Sequence, residues 1–346
     1  MFAGPLTTAV SFCIMQAVRQ KNFCNFNLPV PMTDSPIPVS FIHCERYDDA
    51  ELAACVDRAF SLCGYAPGRG SHILVKPNLL RADRLTCTDP RLVRAVCVWL
   101  LERGARIRVG DSPGFGTAAH VSRSIGLTEA LSDLKGGSLK VQALGRAVPQ
   151  TVPGVGELAV SREALEADAI LSLPRLKAHT MMGITCAVKN LYGCVPGLHK
   201  AVTHARHGDK GPGGLDMARC IAGLTRILPP QAALVDGIEA MHVNGPSGGK
   251  PYPLHLVAAS RSCVAVDTAL YGLLHRGPEQ LPMWRALLEM EAPGANPAQV
   301  KPCGDAPESF NTQDFIIPQT LMAHSFTPLS LLRSLYRRIR ASMVRD

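Results

Sequence analysis

The chain has 346 residues, 47% hydrophobic and 18% charged, which makes one large or two ordinary globular domains and excludes a disordered or fibrous protein. A formal charge of +8 favours anionic ligands or partners, but Lys and Arg are spread along most of the chain and aromatics reach only 5%, which argues against nucleic acid. Twelve cysteines contain no Cys-x-x-Cys pair, so neither a zinc ribbon nor an iron-sulfur cluster is encoded here, and a reduced, cytoplasmic setting is expected.

Residues 1–31 differ in character from the rest of the chain. The apolar run from Thr8 to Met15 is too short to span a bilayer and has neither a preceding basic region nor a small-residue cleavage site, so a disordered, dispensable extension is expected. Met32 precedes the first strand, Val39-Ser40-Phe41-Ile42, and translation starts either at Met1 or at Met32. From 32 to 300 strands and helices alternate. A helix from Asp49 to Cys63 ends at Gly64, His72 to Val75 is a strand, Asp89-Pro90 opens a helix that ends at Gly104, and Arg106 to Val109 is a strand. Further strands are expected at 169–173, 232–235 and 254–259, with helices at 183–192, 215–227, 264–274 and 281–290. This punctuation predicts an α/β fold, a mainly parallel sheet with helices on both faces, as one large or two closely packed lobes.

The chemistry concentrates where the strands end. Lys76-Pro77-Asn78, Asp111-Ser112-Pro113, Lys177 with His179, and Asp236 each follow the apolar body of a separate strand, and the carboxyl ends of parallel strands share the edge where such folds bind ligands. The run Ala169 to Leu173 stops at Pro174, placing Lys177 and His179 in a loop, and Lys189 and Asn190 then sit beside the apolar face of the next helix. Lys177, His179 and Lys189 are the candidate catalytic residues. Lys76, Asn78, Asp111, Asn190, Asp236 and Asn244 are the candidate binding residues. The glycine turns at 110–117 and 244–250 lack both dinucleotide and Walker spacing, and serve as tight turns or as an amide cradle for an anion. His199, His204 and His207 are weak metal candidates: a helix would put His204 and His207 on one face near Asp209, with no anchoring cysteine. Their stretch, 198–214, reads equally as a glycine-rich loop that closes over a substrate. The tail, 301–346, carries Leu332, Leu335, Tyr336, Ile339 and Met343 on one helical face and several arginines elsewhere, a basic amphipathic helix suited to peripheral contact with an anionic membrane or to packing on its own domain.

The run from Pro174 to Gly197 resembles the core motif of domain-of-unknown-function family 362. Val75 to Leu80, Val109 to Gly114, Val235 to Ile238, Asn244 to Gly249 and Ala265-Val266-Asp267 agree with it in order, so that the resemblance covers about residues 37–290. That family is often joined to ferredoxin-type iron-sulfur modules, which implies a separate ferredoxin-type partner. A more distant resemblance joins His179, Lys189 ten residues on, and Pro196-Gly197 to the nickel-pincer lactate racemases, implying that Lys189 matches the lysine that carries their cofactor and His179 an active-site histidine. The chain departs from them at Lys76-Pro77-Asn78, where an Asp/Thr/Arg motif is expected, and at Asp111-Ser112-Pro113, where a catalytic histidine turn is expected. The expected function is an enzyme, redox-associated or proton-transferring, that acts on an anionic small molecule in a Lys/His cleft. Its alternative is a non-catalytic binding or maturation factor working with a separate iron-sulfur electron carrier.

Overall fold

The computed structural model describes residues 35–208 and 214–322, so the extension expected at 1–31, Asp209 and the basic helix expected over 332–345 lie outside the described residues. In chain order the strands are β1 (Ile37–His43), β2 (His72–Pro77), β3 (Arg106–Asp111), β4 (Val141–Ala143), β5 (Ala147–Val152), β6 (Gly156–Ser161), β7 (Ala169–Leu173), β8 (Arg175–His179), β9 (Gly183–Thr185), β10 (Gln231–His242), β11 (Lys250–Ser260) and β12 (Val300–Gly304). The main sheet runs β12-β1-β11-β10-β7-β2-β3-β4, and β5 and β6 form a separate hairpin. From β10 through β7, β2 and β3 to β4 every pairing is parallel, whereas β11 runs antiparallel to both β10 and β1.

Helices cover both faces, as the period of two in the strands requires. Ile73 and Val75 of β2, Leu171 and Leu173 of β7 and Leu234 of β10 point to one side. There they meet Leu52, Val56 and Phe60 of α1 (Asp49–Cys63) and Leu92, Val96 and Leu100 of α2 (Pro90–Glu102). Leu74, Ile170 and Val235 point to the other side. A fully buried Leu, Val or Phe there contributes about 1.5–3 kcal/mol. The helix ends are written in the sequence: the Asp48 carboxylate accepts from the Ala50 and Glu51 N–H groups, Gly64 ends α1 at φ 68°, and Asp89 accepts from Arg91 N–H at the start of α2. Thr117 does the same for α3 (Ala118–Ser124).

The stretch after Pro174 departs from the expected loop and long helix. Arg175–His179 is itself a strand, β8, pairing parallel with β10 and antiparallel with β9. Gly183, at φ 69°, turns the chain back into β9, so the helix expected from 183 begins only at α4 (Ala187–Asn190), followed by a short 3₁₀ turn to Cys194. Next come α5 (Gly197–His207) and α6 (Leu215–Ile227), then α7 (Cys263–Leu273) and α8 (Pro282–Glu289). Residues Ile221, Val266 and Leu287 of the last three helices pack in the second core. The boundary expected after residue 300 falls inside β12, which runs parallel to β1, and Phe310 and Phe315 beyond it are buried in the same core. Among the described residues no helix is long and apolar enough to cross a membrane.

Candidate functional site

The site grows out of the carboxyl ends of β2 and β3. Lys76 lies opposite Ser172 of β7, and strand alternation turns its side chain to the Leu74 face, under α4. It has no exposed surface, and its ammonium donates to Asp111 Oδ1 at 2.8 Å, to Asn190 Oδ1 at 3.2 Å and to the Pro77 carbonyl at 3.3 Å. Asp111, the last residue of β3, also accepts from the Leu79 and Ser112 N–H groups at 2.8 Å each. Asn190 closes the knot by donating to the Lys76 carbonyl at 2.9 Å and to Ser172 Oγ at 3.0 Å. Helix α4, too short to hold itself, is held from outside: Asp267 of α7 accepts from the Ala187 and Val188 N–H groups at 2.7 and 3.0 Å. Burial pushes that carboxyl up to about 7, against the pull of those two donors.

Three more lysines are electrostatically coupled to this knot. Arg175, Lys177 and His179 alternate along β8 with Leu176 and Ala178, which face the second core, so the three basic side chains share the opposite face. Lys177, 4% exposed, donates to Asn78 Oδ1 and, at 2.8 Å, to the Thr86 carbonyl. Burial pushes it down to about 7, opposed by Cys87 and more weakly by Asp111, and helped by the Arg175 and Lys189 charges. Lys189 of α4 is half-buried with its ammonium 5.3 Å from the Tyr192 ring centroid, and burial together with the Lys76 charge lowers it to about 8. Lys200 of α5 stands 5.9 Å from the same ring and donates to the Ser112 carbonyl. Burial lowers it to about 7, Asp111 acts against this, and Lys76 and Lys189 add to it. The Tyr192 hydroxyl donates to the Lys200 carbonyl at 2.9 Å, tying the ring to α5. His179 is buried, and its Nδ1 accepts from Met181 N–H at 3.0 Å, which fixes the ring. Lys76 alone among these lysines bonds Asp111, while Lys177 and Lys200 feel its charge and that of Lys189 through space.

Other expected residues are placed differently. Asp236 is sealed one step away: it accepts from the Tyr47 hydroxyl at 2.6 Å and Asp89 N–H at 2.9 Å, and pairs with Arg175 at 3.2 Å, which makes it a brace for β8. Burial raises its carboxyl. Asn244 is exposed and caps Gly245 N–H within its own turn. His199 is exposed on α5 and His204 rests edge-on against Tyr192 at 5.7 Å. Among the described residues no three His, Cys, Asp or Glu side chains converge as metal ligands, His207 included. Sequence reasoning missed Lys200, Tyr192 and the bracing role of Arg175. An open groove of about 800 Å³ between β1, β12 and α7, lined by Phe41, Leu273, His275 and Phe310 among others, lies four strands from β2 and shares no residue with the lysines.

Known proteins match this chain closely in sequence and loosely in space. The model of a domain of unknown function (DUF362) matches residues 73–272, which include Lys76, Asp111, Lys177, Lys189 and Lys200. A thylakoid-associated protein of the cyanobacterium Synechocystis is 31% identical over 316 residues, 89% of this chain and 96% of that protein. Among solved structures, the lactate racemase apoprotein of Thermoanaerobacterium thermosaccharolyticum is 14% identical at a TM-score of 0.43, and a Thermotoga maritima protein is 12% identical at 0.37. This chain covers 72% and 61% of its own length in these two overlaps and spans only 59% and 55% of theirs. The residues do not fit a nickel-pincer group: Asp111, at the position expected of a catalytic histidine turn, is spent on Lys76 and two backbone amides, so no chemical step is routed through such a cofactor.

Proposed function

Since the chain belongs to the DUF362 family, whose description assigns no activity, we propose from the geometry alone that it is a proton-transfer enzyme acting on a small anionic molecule, a carboxylate or a phosphate. The observation that carries the reading is the imbalance of charge. Lys76, Lys177, Lys189 and Lys200 act on one another's charge with Asp111 as the carboxylate bonded to Lys76, and burial pushes three of them down to between about 7 and about 8. Like charges in a site of low effective dielectric repel one another, so an arriving anion relieves strain that the fold otherwise bears.

The roles follow from exposure and partners. Lys76 is sealed and positions Asp111 and Asn190. Lys177 and Lys200 hold the anion, Asn78 steers Lys177, and Lys189 exchanges a proton near neutral pH. His179 supplies a second acid or base on the β8 face it shares with Lys177. Proton transfer needs no electron carrier, so a ferredoxin-type partner belongs only to a redox version of this reading. We place the protein in the cytoplasm, and the thylakoid association of the Synechocystis relative supports peripheral docking through the basic helix expected over 332–345.

Calorimetric titration with oxalate and with phosphate tests the reading. Affinity should fall with added salt and fall at least tenfold in Lys177→Met and Lys189→Met. Unchanged affinity in both variants refutes it. Binding without solvent-deuterium exchange into the C–H bonds of a bound carboxylate that carries them would favour the non-catalytic binder.

A further inference from the structure

Resting on the anion reading, we propose that the substrate is a small oxo-carboxylate and that Lys189 attacks its carbonyl carbon to form an imine. The four lysines are not equivalent. Lys76 is bound to Asp111, Asn190 and the Pro77 carbonyl, Lys177 to Asn78 and the Thr86 carbonyl, and Lys200 to the Ser112 carbonyl. Among the described residues Lys189 has no hydrogen-bond acceptor, and its ammonium meets only the face of Tyr192 at 5.3 Å. The residue as a whole is half-buried, whereas Lys76 and Lys177 are buried. With its charge disfavoured by burial and by Lys76, the amine titrates at about 8. About a quarter of it is then neutral at pH 7.5, against roughly a thousandth for an ordinary lysine.

The neighbour of Lys189 selects the substrate. Lys200 stands over the same Tyr192 ring, at 5.9 Å. An anion held by Lys200 while Lys189 attacks carries its negative charge close to the reacting carbon, which is the arrangement of a 2-oxo acid. The step balances without any redox partner. The nitrogen lone pair forms the C–N bond as the carbonyl π pair moves to oxygen, both N–H protons pass to that oxygen, and water leaves behind C=N. Once protonated, the imine acidifies the adjacent C–H, which gives the proton-transfer site its task.

The test is reductive trapping. The full chain is incubated with pyruvate and sodium borohydride, digested, and mapped by mass spectrometry. One reduced pyruvate adduct at Lys189 is expected, suppressed by excess oxalate and lost in Lys189→Arg. No adduct, or label no stronger at Lys189 than at exposed Lys140 and Lys301, with oxalate binding intact, overturns the imine and leaves the anion site standing. Failure of the wild-type chain to bind oxalate overturns the anion reading beneath it. The wild-type map decides the matter even if the variant does not fold.

Discussion

Gly193 touches the ion pair on which the whole cluster rests, and replacing it with alanine is the sharpest structural perturbation available. A Cβ built there would lie 2.0 Å from Asp111 Oδ1, 2.2 Å from Lys76 Nζ and 2.4 Å from Lys76 Cε. None of these atoms has room to yield. Lys76 is fully buried, and the carboxylate is pinned by the Leu79 and Ser112 amides. Stretching the pair from 2.8 Å to about 4 Å forfeits about 2 kcal/mol at an effective dielectric of about 20. Overpacking adds about 1–3 kcal/mol, so Gly193→Ala should cost about 3–5 kcal/mol. At about 2–4 °C per kcal/mol, the melting temperature falls by roughly 6–20 °C. Gly272 in α7 is the control, since nothing lies within 4 Å of a Cβ there, and Gly272→Ala should stabilise by about 0.5–1 kcal/mol through helix propensity. Thermal melts and urea titrations of both variants measure the contrast. If Gly193→Ala melts with the wild type, the Lys76–Asp111 pair does not sit where the argument needs it.

Asp111→Asn should destabilise more than Lys76→Met, by about 3–5 kcal/mol, because it leaves the ammonium groups without their carboxylate, and the double variant should lose less than the sum; urea titration of the three variants measures both. Without anions, stability should rise from pH 7 to 8.5. The folded values of Lys177, Lys189 and Lys200 lie below their unfolded value near 10.5, so the unfolded chain binds more protons in that window and the slope is positive. Melting at fixed ionic strength reads it, and a flat or falling curve would show that these lysines are not depressed. Asp267→Asn turns an N–H-bearing nitrogen toward one of the two amides of α4, and should cost about 1–3 kcal/mol while lowering the yield of the pyruvate adduct at Lys189.

The frame of the protein was legible because its signals are local. Asp48, Gly64, Asp89 and Thr117 mark helix ends through their own side chains or their own φ, and the apolar runs at 73–75, 107–109 and 170–173 read as buried strands. Residues 175–185 were harder. Pro174 signals a break, yet Arg-Leu-Lys-Ala-His keeps a period of two, and that alternation decides the strand once β10 offers a partner. Ile184, Ala187, Val188 and Leu191 fit a helical face equally well, and only the pairing of Gly183 with His179 separates β9 from α4. Of the polar residues expected at the strand ends, Lys76 bonds Asp111 and Lys177 bonds Asn78. Asp236, expected at the same edge, is held by Tyr47, Asp89 and Arg175, contacts distant in sequence that no local pattern signals. Lys200 had no local mark: its stretch resembles a mobile loop until α5 lays it across Ser112 and Tyr192.

Proton uptake on anion binding tests the central claim most directly. If the site is a set of lysines held short of full protonation, an incoming anion must raise their affinity for protons. Oxalate titrated calorimetrically at pH 8 into buffers of different ionisation enthalpy should give an observed enthalpy that varies linearly with that of the buffer, with a slope on the order of one proton taken up or more. A slope of zero with tight binding would mean that the oxalate sits elsewhere or that the lysines are fully charged, and would contradict the account.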